Sequence, residues 1–312
     1  MIEQICCLLR QRLNTQVLAI EPIATGLFNS SFSALLPNRE VVVRVAPPAD
    51  SIFCFYERQM MRQEPKLHRI LLEKTNIPVP RILAYDFTGS LLPRDVIIME
   101  KLPGQPMSEC NLSTTERDGV LCQVGTYLRQ AHAITASKYG YMGAHRPMLP
   151  YDKWDHAFAV MWHKLLGDIY RIGAYNTAEV ARLSNLLKSH RRHFQHNPRS
   201  CLLHMDVWDQ NILIDDLGRI TGLIDWDRSL YGDPEIEFAV LDYCSISRPA
   251  FWDGYGEKRD TSESATIRGH FYLLYELQKY IVISQGRESN SLKAQRYKTQ
   301  VMDYIEANLR EI

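Results

Sequence analysis

The sequence predicts an α+β fold in two lobes, an antiparallel sheet first and a mainly helical part after it. Short apolar strands joined by tight turns fill the first third, and helical spacings dominate the rest. Between them Leu102-Pro103-Gly104-Gln105-Pro106 breaks regular structure, which divides the chain into residues 1–102 and 103–312. With 312 residues, 46% of them hydrophobic, there is enough apolar material to bury a core.

The first lobe starts with a helix over Glu3 to Leu13, whose Ile5, Leu8, Leu9 and Leu13 share one side. Val17 to Ala24, Ser31 to Leu36 and Glu40 to Val45 read as a meander of three strands. The connection Thr25-Gly26-Leu27-Phe28-Asn29-Ser30 has a single glycine, and its small polar residues can turn N–H and hydroxyl groups toward an anion. Arg44 stands inside the apolar run Val41 to Val45, and a charge so placed needs an anion beside it. Helical periodicity covers Phe53 to Lys74, interrupted by Pro65 and stopped by Ile77-Pro78-Val79-Pro80. Arg81 to Asp86 and Asp95 to Lys101 form a further strand pair.

Beyond the break, Thr114 to Ala133 has helical spacing, and Ser113-Thr114-Thr115-Glu116 offers a capping box at its start. Tyr151 to Ile172 and Thr177 to Phe194 are two more helices. His132, on the first of the three, reads as a core histidine. Asp233 with Pro234 behind it marks another helix start, and Ile267 to Ser284 and Ser291 to Leu309 are late amphipathic helices.

Lys plus Arg and Asp plus Glu are balanced at 36 each, so no overall field draws the chain to nucleic acid or to an anionic membrane. No apolar run approaches the length of a membrane span, and the acidic start speaks against a secretory signal, so a soluble cytoplasmic protein is expected. Seven cysteines form no CxxC pair and read as reduced thiols; the ten histidines lack zinc-ligand spacing.

The chemistry concentrates between Cys201 and Asp233. Two strands, Asn211 to Ile214 and Ile220 to Ile224, flank the turn Asp215-Asp216-Leu217-Gly218-Arg219, with His204-Met205-Asp206 before the first and Asp225-Trp226-Asp227 after the second. Phosphoryl transfer needs a carboxylate to orient the attacking hydroxyl and accept its proton, and oxygen ligands to hold Mg²⁺ on nucleotide phosphates. Asp206, Asn211 and Asp225 offer both.

On these residues the sequence resembles the aminoglycoside phosphotransferase and choline kinase family, small-molecule kinases built on the protein-kinase fold. Their signature, His-x-Asp-x-x-x-x-Asn followed by an Asp at a strand end, is matched by His204 to Asn211 and by Asp225. Met205 in place of the Arg of His-Arg-Asp, and Asp225-Trp226-Asp227 in place of Asp-Phe-Gly, separate it from protein kinases proper.

The resemblance implies a two-lobed protein-kinase-like fold, with ATP or GTP as phosphoryl donor and Mg²⁺ as cofactor. It assigns Asp206 as catalytic residue and Asn211 and Asp225 as metal ligands, with His204 as a brace. Nucleotide contacts fall on Arg44, Glu64, Ser30, Ser31 and the hinge backbone from Met99 to Leu102; Glu57 competes with Glu64 as the partner of Arg44. Asp227, Glu235 and Glu237, with Asp233 and Asp242, read as a negative floor for the acceptor, covered by Trp226, Tyr231 and Tyr243. A cationic acceptor, an aminoglycoside-like antibiotic or amino sugar, is therefore expected. Choline, ethanolamine, ketosamine and macrolide kinases share the motifs, and a catalytically silent nucleotide-binding protein is the rival from another class.

Overall fold

The computed structural model describes residues 1–24, 28–143 and 145–309. Helix α1 (Ile2–Leu13) precedes strands β1 (Ala19–Ile23), β2 (Ser30–Leu36) and β3 (Arg39–Val45). Helix α2 (Glu64–Lys74), β4 (Ile82–Asp86) and β5 (Val96–Glu100) complete an antiparallel sheet in the order β1-β2-β3-β5-β4. Alternation in β3 decides what each face carries. Val41, Val43 and Val45 are fully buried in one cluster with Ile5, Leu8 and Leu9 of α1, so Val42 and Arg44 turn the other way, toward Met61, Ile97 and Met99.

The helix expected from Phe53 begins only at Glu64, after a 3-10 turn at Met60–Gln63. Pro65 lies in its first turn, where a missing N–H costs nothing, so it opens the helix instead of interrupting it. Upstream, the Glu57 carboxylate accepts the Cys54 N–H at 2.7 Å and Asp168 accepts that of Phe55 at 2.5 Å. Side chains thus satisfy these N–H groups in a non-helical conformation.

The remaining elements follow in order: β6 (Gln105–Pro106), α3 (Thr114–His132), β7 (Gly140–Tyr141), α4 (Trp154–Arg171), α5 (Thr177–Ser189), β8 (Cys201–Leu203), β9 (Ile212–Ile214), β10 (Ile220–Leu223), β11 (Leu230–Gly232), α6 (Pro234–Tyr243), α7 (Pro249–Tyr255), α8 (Glu263–Val282) and α9 (Ser291–Asn308). The capping box of α3 is present as expected, and Asp233 caps α6 by accepting the Glu235 N–H at 3.1 Å. Past the chain break, β6 pairs with β9 of the hairpin β9–β10. Strand β8, which leads into the His204 loop, belongs to a separate sheet in the order β7-β11-β8. The helix expected over Thr177 to Phe194 gives way to a 3-10 turn at Arg191–Phe194. Strands β7 and β11 and helix α7 were not legible as periodic stretches because each spans at most seven residues.

All seven cysteines are free, and among the described residues no helix is long and apolar enough to cross a membrane.

Helices α3 and α7 meet backbone to backbone at two glycines. A methyl group on Gly254 would run into the Cys122 carbonyl, and one on Gly125 into that of Phe251. The obstacle is main chain and cannot swing aside. Gly254→Ala should therefore lower the unfolding free energy by roughly 1–3 kcal/mol, the usual cost of overpacking. Urea denaturation checks this, and an unchanged midpoint would show that the two helices slide apart freely.

Candidate active site

Arg44 reaches from the middle of β3 to both sides of a cleft. Its Nη1 donates to Glu64 Oε2 of α2 at 2.7 Å, while its Nη2 donates to Asp225 Oδ1 at 2.5 Å and to Asp227 Oδ2 at 3.0 Å. Glu57 is not its partner; that carboxylate pairs with Arg287 at 2.5 Å. Burial opposes the charge on Glu64, but the Arg44 guanidinium outweighs it and holds the carboxyl below its ordinary range. For Asp227 burial wins, reinforced by the charge of Asp225, and its carboxyl is pushed well up despite Arg44. One guanidinium thus serves three acidic groups, Glu64, Asp225 and Asp227, and a further cation would relieve the crowding that raises Asp227.

The oxygens for such a cation are in place. The side-chain amide of Asn211 donates to the Asp206 carbonyl at 2.8 Å and to Asp206 Oδ2 at 3.3 Å, and its own carbonyl oxygen has no protein donor among the described residues. Asp225 keeps a third of its side chain exposed and stands in the left-handed region at φ 66°, where Asp is better tolerated than most residues. Carboxylate and amide oxygens suit a hard cation such as Mg²⁺.

The His204 to Asp206 loop is braced from below. His204 is fully buried, with Nε2 3.0 Å from the Ile224 carbonyl and Nδ1 accepting the Asp206 N–H at 3.3 Å. These partners assign the proton to Nε2 of a neutral ring, in keeping with burial, which pushes its pKa down. Met205, at φ 68°, donates its N–H to Glu237 Oε1 at 2.5 Å. The other Glu237 oxygen lies 2.6 Å from His132 Nε2, and His132 Nδ1 lies 2.8 Å from the Tyr255 hydroxyl. Helices α3, α6 and α7 together hold one strained residue beside Asp206.

Several expected site residues stand elsewhere. Glu237 is fully buried in that brace, so it cannot meet an acceptor. Glu235 forms a two-point pair with Arg268, both contacts 2.7 Å, and Asp242 pairs with Arg259 at 2.6 Å. Asp233 is spent on its cap, on His196 and on the Tyr272 hydroxyl. Asp227, 3% exposed, is bound by Arg44 and by Asn29 Nδ2 at 3.1 Å, which places it on the metal side. Trp226 is fully buried against His204, their ring centres 4.3 Å apart. The acidic acceptor floor is thereby dismantled.

On the nucleotide side, Asn29 is the loop residue that reaches the carboxylates. The Ser30 hydroxyl is 3.4 Å from Arg94, Ser31 pairs with Arg44 across β2 and β3, and Gly26 lies outside the described residues. Met99 sits in β5 between Val42 and Ile82, so its backbone is spent on the sheet. Leu102, in the chain after the strand, has its side chain beside Gly222.

Four residues were missed by the sequence reading. Arg228 Nη1 donates to Asp206 Oδ1 at 2.6 Å and its Nη2 to Glu276 Oε2 at 3.2 Å. Lys279 binds the other Glu276 oxygen and comes within 3.8 Å of Asp206 Oδ1. Gln63 donates to the carbonyls of Asp227 and Ser229 at 2.7 and 2.9 Å. A signal existed for two of them: Glu276 and Lys279, with Gln278, interrupt the apolar run Phe271 to Val282.

The folded protein keeps His204 neutral where an unfolded chain would begin to protonate it. Stability from this ring is therefore fully present above the ordinary histidine range, about 6.5, and is lost as pH falls from there through the lowered folded value. His204→Gln should flatten that part of the stability profile relative to wild type. Urea titrations at stepped pH measure it; a wild-type-to-variant difference constant with pH would show that folding leaves the His204 pKa unshifted, against this reading.

Residues 19–269 match the sequence profile of the phosphotransferase enzyme family. A curated relative, the clavilactone A biosynthesis cluster protein Y of Ampulloclitocybe clavipes, is 26% identical over 267 residues, 74% of this chain, and the match spans 63% of that relative's length. Among solved structures, a candidate fructosamine-3-kinase from Haemophilus somnus 129PT superposes with a TM-score of 0.74 at 16% identity, covering 98% of both chains. A thermostable mutant of aminoglycoside phosphotransferase APH(4)-Ia in its apo form gives 0.70 at 19% identity, with 97% of this chain and 98% of that one. The gentamicin complex of APH(2")-IIa gives 0.67 at 17%, with 96% and 95% covered. These neighbours share the two-lobed kinase-like fold. By the match over most of its length, the chain belongs to the phosphotransferase enzyme family.

Proposed function

We propose that this phosphotransferase moves the γ-phosphoryl group of a magnesium-bound ATP or GTP to a hydroxyl of a small molecule. The observation that carries the reading is the grouping of Asp206, Asn211 and Asp225: Asn211 binds Asp206, its main-chain carbonyl accepts the N–H of Ile224 beside Asp225 at 3.0 Å, and Arg44 bridges Asp225 to Glu64. Asp206 keeps about a quarter of its side chain exposed, the accessibility that a group meeting an acceptor needs. It orients the acceptor hydroxyl and takes its proton as the new O–P bond forms and the bond to the nucleoside diphosphate breaks. Asn211 and Asp225 would hold Mg²⁺, which supplies charge neutralisation on the phosphate oxygens. Arg44, buried and kept charged by its carboxylates, is placed to exchange Asp225 for nucleotide phosphate oxygens.

A silent nucleotide-binding protein would be expected to lack one of the three polar groups, and none is lacking. For the donor, one APH(4)-Ia structure holds AMP-PNP and another APH structure holds GDP, so both purines are supported by analogy. For the acceptor, neighbours hold hygromycin B and gentamicin. That supports an aminoglycoside or amino sugar by analogy, although the carboxylates on which a cationic acceptor rested are engaged internally.

Asp206→Asn keeps the shape of the loop and should retain Mg-nucleotide binding while lowering kcat by about 10²–10⁴, the usual worth of positioned acid–base help. Steady-state kinetics with a turned-over hydroxyl acceptor, alongside nucleotide titration, measures both quantities. Full turnover in the variant would take Asp206 out of the reaction.

A further inference from the structure

An acceptor hydroxyl has to come within hydrogen-bond reach of Asp206, so the groups already around that carboxylate set the charge an acceptor may carry. Two of them are cations. The Arg228 guanidinium lies 2.6 Å from Asp206 Oδ1 and the Lys279 ammonium 3.8 Å from the same oxygen. The nearest further acid, Glu276, is 1% exposed and gives one oxygen to each of these cations. Two carboxylates facing two cations leave no surplus negative charge beside the reacting position.

More distant acids do not restore one. Glu235 is taken by Arg268, Glu237 by His132, Asp242 by Arg259 and Glu57 by Arg287. Asp209, on the far side of the loop, is held by Arg117 through two contacts of 2.8 and 2.9 Å. Both cations are themselves buried, Arg228 at 8% and Lys279 at 4% exposed, and the partly exposed side chains against Lys279 are aromatic. The Lys279 ammonium lies 4.5 Å over the half-buried Tyr280 ring, which stacks on Tyr297 with centres 5.1 Å apart and meets Tyr243 at 5.4 Å.

Building on the phosphotransferase reading, we infer that the acceptor is a ring-bearing hydroxyl compound without ammonium groups, neutral or acidic, and that Lys279 is the residue that turns amines away. An ammonium drawn toward Asp206 comes into the field of Arg228 and Lys279, which lie 2.6 and 3.8 Å from the same Asp206 oxygen, and both repel it. A neutral ring loses nothing to these charges and gains contact with the tyrosines. A carboxylate on the acceptor gains a partner. Lys279 selects among acceptors and takes no part in the bond changes.

The test uses 4-hydroxyphenylethanol, tyramine and 4-hydroxyphenylacetate, which differ only in a neutral, cationic or anionic end group, with hygromycin B and gentamicin as polycations. Product formation is followed in wild type, Lys279→Met and Lys279→Arg, and Mg-nucleotide binding is titrated in parallel. Methionine keeps the length of the side chain and leaves Glu276 paired with Arg228. In wild type and in Lys279→Arg, kcat/KM should favour the alcohol or the acid over tyramine by about tenfold or more, the scale of one unit of charge discrimination. Lys279→Met should shrink that ratio, chiefly through the KM of the amine. Wild type and the charge-preserving variant decide the matter even if the methionine variant does not fold. Preference for tyramine or either aminoglycoside overturns the inference, as does failure of every member while Mg-nucleotide still binds. Absence of nucleotide binding would instead overturn the phosphotransferase reading beneath it.

Discussion

A single buried guanidinium ties the molecule together. Arg44 belongs to the first sheet, Glu64 to the helix beside it, and Asp225 and Asp227 to the end of the β9–β10 hairpin. The acids come from two distant parts of the chain, and each would be costly to bury alone. Their attraction to one cation sets how the sheet sits on the hairpin. Three acidic groups crowd one cation there, and this is where a Mg-nucleotide would bring further positive charge.

The opposite wall follows the same logic with a different balance. The Asp206 loop holds Met205 in a left-handed conformation because Glu237, fixed by His132 and Tyr255, captures its N–H. Asp206 itself is met by Arg228 and Lys279, whose charges are offset by Glu276. One side of the cleft is therefore short of cations and the other is balanced. A phosphate carrying its own metal suits the first, and an acceptor that brings no positive charge suits the second.

The alternation of β3, the capping box at Ser113 and the Asp206, Asn211 and Asp225 spacing were all legible in the sequence, since each is a local pattern. Arg44 was legible for a physical reason as well, because the apolar run Val41 to Val45 carries it as its one charge. Glu235 and Glu237 were misread as acceptor contacts because acids in a first helical turn look alike whether solvated or paired. Their partners, Arg268 and His132, lie 33 and 105 residues away. Residues 53 to 59 could not be read as irregular, since one N–H in them, that of Phe55, is taken by a carboxylate of α4, Asp168.

The central claim, that the Arg44 junction is the metal and nucleotide site, is tested most directly by calorimetric titration of ATP and GTP with and without Mg²⁺. Wild type is compared with Asp225→Ala. Tight binding should require Mg²⁺ in the wild type, and that requirement should be largely lost, together with affinity, in the variant. Equal affinity and equal Mg²⁺ dependence in both proteins would contradict the account.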